Sequence, residues 1–156
     1  MPKAPVSALT KAMNFLAARP LSELELLIKL RKAGYPDPEA DAAIEECRKR
    51  HYLDDEMLAG DCVEALHQRN MGARQIKFKL ARRGLDAEIV SDLLEQDQDA
   101  EKEAAERAME SKLRLLRNET DPRKKREKLF RFMISRGFAP DLIFRILDNA
   151  LTDEYQ

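Results

Sequence analysis

Along the chain, apolar residues recur three and four positions apart, and no stretch alternates with the period of two that a half-buried strand requires. Leu9, Ala12, Met13 and Leu16 form the first stripe, which Pro20 closes. Ser22-Glu23-Leu24-Glu25 reads as a capping box, with Leu26, Leu27 and Leu30 turned inward behind it. Asp37-Pro38 offers an N-cap and a proline at the first helical position, opening a helix through Ala40, Ile44 and Cys47. Asp54 caps the next helix, whose stripe is Leu58, Cys62, Ala65 and Leu66 despite Gly60 in its interior, which costs about 1 kcal/mol relative to Ala. Asn70 tolerates the left-handed conformation that ends it, and Gly72 restarts the chain. Ile76 and Leu80 line a basic helix, and Asp86 caps an acidic one carrying Ile89, Val90, Leu93 and Leu94. Residues 97–117 show only a thin apolar line, Ala105, Met109, Leu113 and Leu116, which predicts a long, partly exposed helix. Asp121-Pro122 opens a helix through Leu129 and Met133, and Leu142, Ile143, Ile146 and Leu147 complete the last.

A second pattern lies over the first. Leu30-Arg31-Lys32-Ala33-Gly34-Tyr35, Leu80-Ala81-Arg82-Arg83-Gly84-Leu85 and Met133-Ile134-Ser135-Arg136-Gly137-Phe138 share one signature. Each predicts a helix whose C′ residue is a left-handed glycine, followed by an apolar residue that folds back onto C3. Three such stops at near-equal intervals, each leading into another helix, indicate an internal repeat of about 50 residues. The expected architecture is all-α: three tandem three-helix repeats. They span 8–53, 54–96 and 97–156, after a loose, proline-bearing leader over 1–7.

Composition fits this reading. Charged residues make up 37% of the chain, as suits helices with wide solvated faces. The 28 basic and 29 acidic residues nearly cancel, yet they are segregated. Leu66 to Leu85 holds six Lys/Arg and no acid, Asp86 to Glu106 nine acids and one Lys, and Lys112 to Arg136 ten basic residues against three acids. Faces of opposite sign are expected from such blocks. No run has the length of a membrane span, and Lys11 and Arg19 interrupt any signal-peptide core, so a cytoplasmic chain with reduced Cys47 and Cys62 is expected.

With Ile76 and Leu80 inward, Arg74, Phe78 and Arg82 fall on the outer side of their helix, with Lys77 at its edge. An outward aromatic flanked by arginines can stack on a partner side chain or a base while the cations meet phosphate or carboxylate. The other placement for Phe78 is a seam under the neighbouring repeat. Together with Arg69 and Arg83 these residues form a first candidate binding set, and Lys124, Lys125, Arg126 and Arg131 a second. Solvation alone is the competing explanation for the second set. It is also the favoured one for the acidic residues Asp92, Glu95, Asp97, Asp99 and Glu103. No cofactor is expected: Cys47-x3-His51 and Cys62-x4-His67 lack the short knuckle of a zinc site, and both cysteines sit on apolar stripes. No nucleophile with a base, phosphate loop or paired carboxylates points to catalysis.

Arg50-His51-Tyr52-Leu53-Asp54-Asp55-Glu56, Gly72-Ala73-Arg74-Gln75-Ile76 and Leu80 to Leu85 resemble the central region of the RecX family. Leu16 to Leu26 is similar to the family's opening, and Phe132 to Phe138 to its closing repeat. Departures are His51 where glycine is frequent, Asn70-Met71 where Gly and an aromatic are usual, and Ala73 where proline is frequent. The resemblance, over about Leu9 to Asp148, implies that the three-helix repeats form a curved, elongated array, and that the protein is a non-enzymatic regulator that lodges in the groove of the RecA nucleoprotein filament. There it restrains recombinase, ATPase and coprotease activities. It implies a monomer with DNA contact mainly within the filament and no membrane partner. A direct nucleic-acid-binding protein with helix-turn-helix-like repeats is the alternative reading.

Overall fold

The computed structural model describes residues 6–154, which hold nine helices and no strand. They are α1 (Ala8–Ala18), α2 (Glu23–Lys32), α3 (Asp37–Lys49), α4 (Asp55–Gln68), α5 (Ala73–Arg82), α6 (Ala87–Gln96), α7 (Gln98–Leu115), α8 (Pro122–Ser135) and α9 (Pro140–Glu154). Within each successive trio every helix packs on the other two. Each trio has its own core: Leu26, Leu30, Ala40 and Cys47 in the first, Val63, Ile76, Leu80 and Val90 in the second, Met109, Leu129, Met133 and Phe138 in the third. Between trios, α4 and α6 reach α7, and no extended helix packing joins the first trio to the third. The result is an elongated array of three small cores.

The glycine stops form as the signature requires. Gly34, Gly84 and Gly137 have φ of 95°, 79° and 97°. The following amides bond back to C3: Tyr35 N to Leu30 O at 3.1 Å, Leu85 N to Leu80 O at 3.1 Å and Phe138 N to Met133 O at 3.2 Å. The same closure ends α3 and α4, where His51 and Asn70 hold φ of 59° and 60° and the Tyr52 and Met71 amides reach Cys47 O and Leu66 O. A left-handed histidine carries a steric cost of about 1 kcal/mol that glycine avoids, which accounts for the preference for glycine there.

Several local expectations need correction. Pro36, not Asp37, is the N-cap of α3; Asp37 is its first residue, and its carboxylate takes the Arg31 guanidinium at 2.8 Å instead of a backbone amide. In α1 the buried positions are Ala8 and Ala12, while Met13 is 37% exposed. In α4 Ala65 is exposed, and the inner stripe runs through Leu58, Ala59, Val63 and His67. The first helix of the third unit is long and partly exposed as expected, with Ala104 and Ala108 joining Ala105 and Met109 on its buried line. Of the expected leader, residues 1–5 lie outside the described residues, and Ser7 is the N-cap of α1.

Two seams hold the trios in line, and both use the same parts. At each, the start of an upstream second helix meets the glycine stop of the downstream unit. In the first, the buried Ser22 hydroxyl donates to Arg83 O while Ser22 also completes the predicted capping box with Glu25. Arg83 donates to Glu25 at 2.9 Å and to Pro20 O at 3.4 Å, and the Glu23 amide donates to Asp55 at 3.0 Å. In the second, Gly72 N donates to Arg136 O at 2.7 Å and Arg74 N to Gly137 O at 3.0 Å, and the Arg136 guanidinium reaches Asn70 O and Arg69 O. Arg83 and Arg136 are thus equivalent, each preceding a glycine stop and each reading backbone carbonyls of the unit before. Ala33 fills that position in the first unit.

Close backbone approach is what the second seam requires of Gly72. Its φ is an ordinary −88°, but a Cβ there would lie 2.4 Å from the Gly137 carbonyl carbon. Gly72→Ala is therefore expected to lose about 1–3 kcal/mol and to speed hydrogen exchange at the Arg74 amide. Gly34→Ala, with open space around its Cβ, should lose about 1–2 kcal/mol from backbone strain alone and leave the Arg74 amide protected.

The first seam is also sensitive to acid. Arg48 hydrogen bonding lowers the Glu23 pKa. For Glu25 burial acts upward, but Arg83 and the Ser22 amide outweigh it and the net shift is downward. A carboxylate with a depressed folded pKa stabilises above its unfolded value, near about 4.3, and that stability is lost as pH falls through the folded value. Asp55 opposes this, because burial raises its pKa and protonation relieves it. Melting temperature should drop as pH falls below about 4, and Glu25→Gln should flatten that acid limb.

Candidate partner-binding surface

Ile76 and Leu80, both buried, pin the inner face of α5 and so fix which side chains meet solvent. Arg74, Lys77, Phe78 and Arg82 are all exposed, and Phe78 is 63% exposed rather than packed under a neighbouring unit. The Arg82 guanidinium carbon lies 5.7 Å from the Phe78 ring centroid, so the ring already carries a cation on one face. Arg69 is exposed, its carbonyl held by Arg136.

Arg83 is not part of this ridge. Its position before a glycine stop aims it at the upstream unit, where it is half-buried against Glu25, Pro20 O and, at 3.1 Å, the Cys62 sulfur. Its pKa is raised, chiefly by the Glu25 hydrogen bond. The α8 set is likewise divided, because consecutive residues on a helix stand about 100° apart. Lys124 is exposed, Lys125 is buried, Arg126 is half-buried and bonds Asp148 at 3.0 Å, and the Arg131 side chain is 80% exposed.

Other interacting residues escaped the sequence reading. Glu101 in α7 accepts the Ala73 amide at 2.8 Å with one oxygen and meets His67 Nε2 at 2.6 Å with the other. Gly72 has no side chain to cap α5, so this carboxylate from the next unit supplies the acceptor at the positive end of the helix. Arg107 donates to Asn70 Oδ1 at 2.8 Å and to His67 O at 3.0 Å, fastening the same turn. On the far unit, Phe130 and Phe144 stack with centroids 5.1 Å apart. Phe144 lies off the Ile143, Ile146 and Leu147 stripe, which was the available signal that it points outward.

Among the described residues no group of three or more His, Cys, Asp or Glu is placed to hold a metal ion. Cys47 is buried in the first core and Cys62 faces the first seam; burial raises both thiol pKa values. No helix among the described residues is long and apolar enough to cross a membrane.

Residues 8–47 match the model of the RecX first three-helix domain, and residues 99–147 that of the RecX third three-helix domain. The chain belongs to the RecX family. The regulatory protein RecX of Clostridium beijerinckii is 30% identical over 132 residues, covering 83% of this chain and 62% of the relative. That of Clostridium perfringens is 32% identical over 136 residues, or 86% and 64%. The chain therefore spans less than two thirds of these clostridial proteins. RecX of Legionella pneumophila is 27% identical over 139 residues, covering 89% of this chain and 91% of its own. The fold is that of the RecX crystal structure from Lactobacillus salivarius, with a TM-score of 0.83 at 22% identity over 91% of this chain and 93% of that one. The α5 ridge lies between the two RecX domain matches.

The neighbours Arg82 and Arg83 separate ridge from seam. Arg83→Ala should lower stability by about 2 kcal/mol, since it leaves Glu25 half-buried beside a lost partner, whereas Arg82→Ala should stay within about 0.5 kcal/mol. Denaturant unfolding of the two variants makes the comparison.

Proposed function

We propose that the chain is a cytosolic, non-enzymatic regulator of the RecA recombinase that lodges in the groove of the RecA filament on DNA. There it restrains recombinase, ATPase and coprotease activities. Membership of a family of regulatory proteins supports this reading, and the observation that carries it to particular residues is the exposed ridge Arg74, Lys77, Phe78 and Arg82. Lys124 and Arg131 on α8 add a second point of attachment on the next unit.

The mechanism is contact rather than chemistry. Individually weak basic contacts on successive units reinforce one another once the first is made, because the seams fix their spacing and raise the effective concentration of the next. An elongated body bridging neighbouring protomers opposes the movement between them that accompanies ATP turnover. Phe78 adds apolar area at the centre of the ridge, where a desolvated aromatic contributes most.

The test is RecA-catalysed ATP hydrolysis and strand exchange on single-stranded DNA with increasing amounts of the protein. Both should fall. Replacing Arg74, Lys77 and Arg82 together with Glu should raise the half-inhibitory concentration roughly ten-fold or more without changing helical content. Unchanged turnover and exchange at saturating wild-type protein would refute the proposal.

A further inference from the structure

A groove of about 390 Å³ opens between α8 and α9. Phe130, Phe144 and Leu147 line it, and Arg123, Arg126 and Arg131 stand with Glu127 around it. The two rings are stacked, 25° from parallel, and the outer one, Phe144, is 46% exposed. Phe130 packs partly against the core of the third unit, which closes over Ile143, Ile146 and Leu147, whereas the exposed Phe144 is no part of that core.

We infer that this groove is a subsite for an unpaired base of single-stranded nucleic acid, with the base extending the Phe130–Phe144 stack and the arginines meeting the flanking phosphates. Every base has a flat π face that can continue such a stack, whereas the Asp and Glu side chains that give a peptide its negative charge carry no aromatic ring. Arg123 and Arg131 are eight residues apart, two helical turns or about 12 Å along α8, so they can serve different phosphates of one strand. Their side chains are 90% and 80% exposed, and each lies 3.9 Å from Glu127, a distance that leaves their donors open to a ligand. Arg126 is held by Asp148 and shapes the wall.

Counted from the glycine stops, Arg131 is the counterpart of Phe78, each six positions before its glycine, and Phe130 that of Lys77, each seven before. The subsite therefore continues the side of the array that carries the α5 ridge. It needs no RecA, so its failure and that of the regulatory reading are separable. Contact with one or two nucleotides implies weak binding by itself, in the range of about 10 μM to 1 mM.

The experiment titrates the full chain into a thymidine oligonucleotide carrying one central 2-aminopurine, in the absence of RecA. Fluorescence should be quenched by stacking, and two phosphate contacts should give a slope of log K against log salt of about −1.4. Phe144→Leu keeps an apolar cover over Phe130 but removes the flat face; it should weaken binding roughly ten-fold and abolish the quench. Arg131→Gln should bring the slope to about −0.7. Phe78→Ala should leave the quench intact. Absence of quenching with wild-type protein, or a quench undiminished in Phe144→Leu, overturns the assignment. So does poly-glutamate that binds as tightly as the oligonucleotide and is equally sensitive to Phe144→Leu, since that result gives the groove to acidic protein segments.

Discussion

Everything that lies between units depends on how near two backbones can come. A helix that stops on a left-handed glycine turns sharply enough to present its last carbonyls outward, and the next helix start must then meet them without a Cβ intervening. At Gly72 and Gly137 both sides lack the side chain, and two backbone hydrogen bonds cross the gap. At Gly84 only the downstream side lacks it, and Ser22 answers with a hydroxyl instead. Arg83 before Gly84 and Arg136 before Gly137 then span the junctions, each reaching backbone carbonyls of the unit before. Seam geometry, rather than any single core, sets the direction in which the trios follow one another.

Much of this was legible in the linear pattern. The three glycine signatures identified helix ends, the apolar partner of each stop and the repeat itself, because a left-handed turn strongly favours glycine; His51 closes α3 in the same conformation without that signal. Capping at Ser22, Asp54, Asp86 and Asp121 was legible for the same reason. Asp37 misled because a carboxylate beside a proline looks like a cap whether or not a nearby guanidinium claims it.

The candidate surface was legible only where the inner face of a helix was. On α5, two buried residues fixed the rotation, and the outward set followed. Arg83 was misassigned because a residue at a helix end no longer follows the helical wheel, and its direction depends on Glu25, 58 residues away in sequence. Lys125 was grouped with its neighbours by adjacency along the chain, which on a helix separates side chains. Glu101, embedded in an acidic run, gave no local hint that it reaches across to the preceding unit.

That carboxylate makes the repeat units less separable than their likeness suggests. The helix with the exposed basic ridge begins at a glycine that cannot cap it, and the acceptor for its first amide is contributed by the following trio, whose Arg107 also grips the preceding turn. A piece of the chain cut after the second trio would keep every ridge residue and yet lose the brace that orients them. Modular in origin, the array is indivisible in operation.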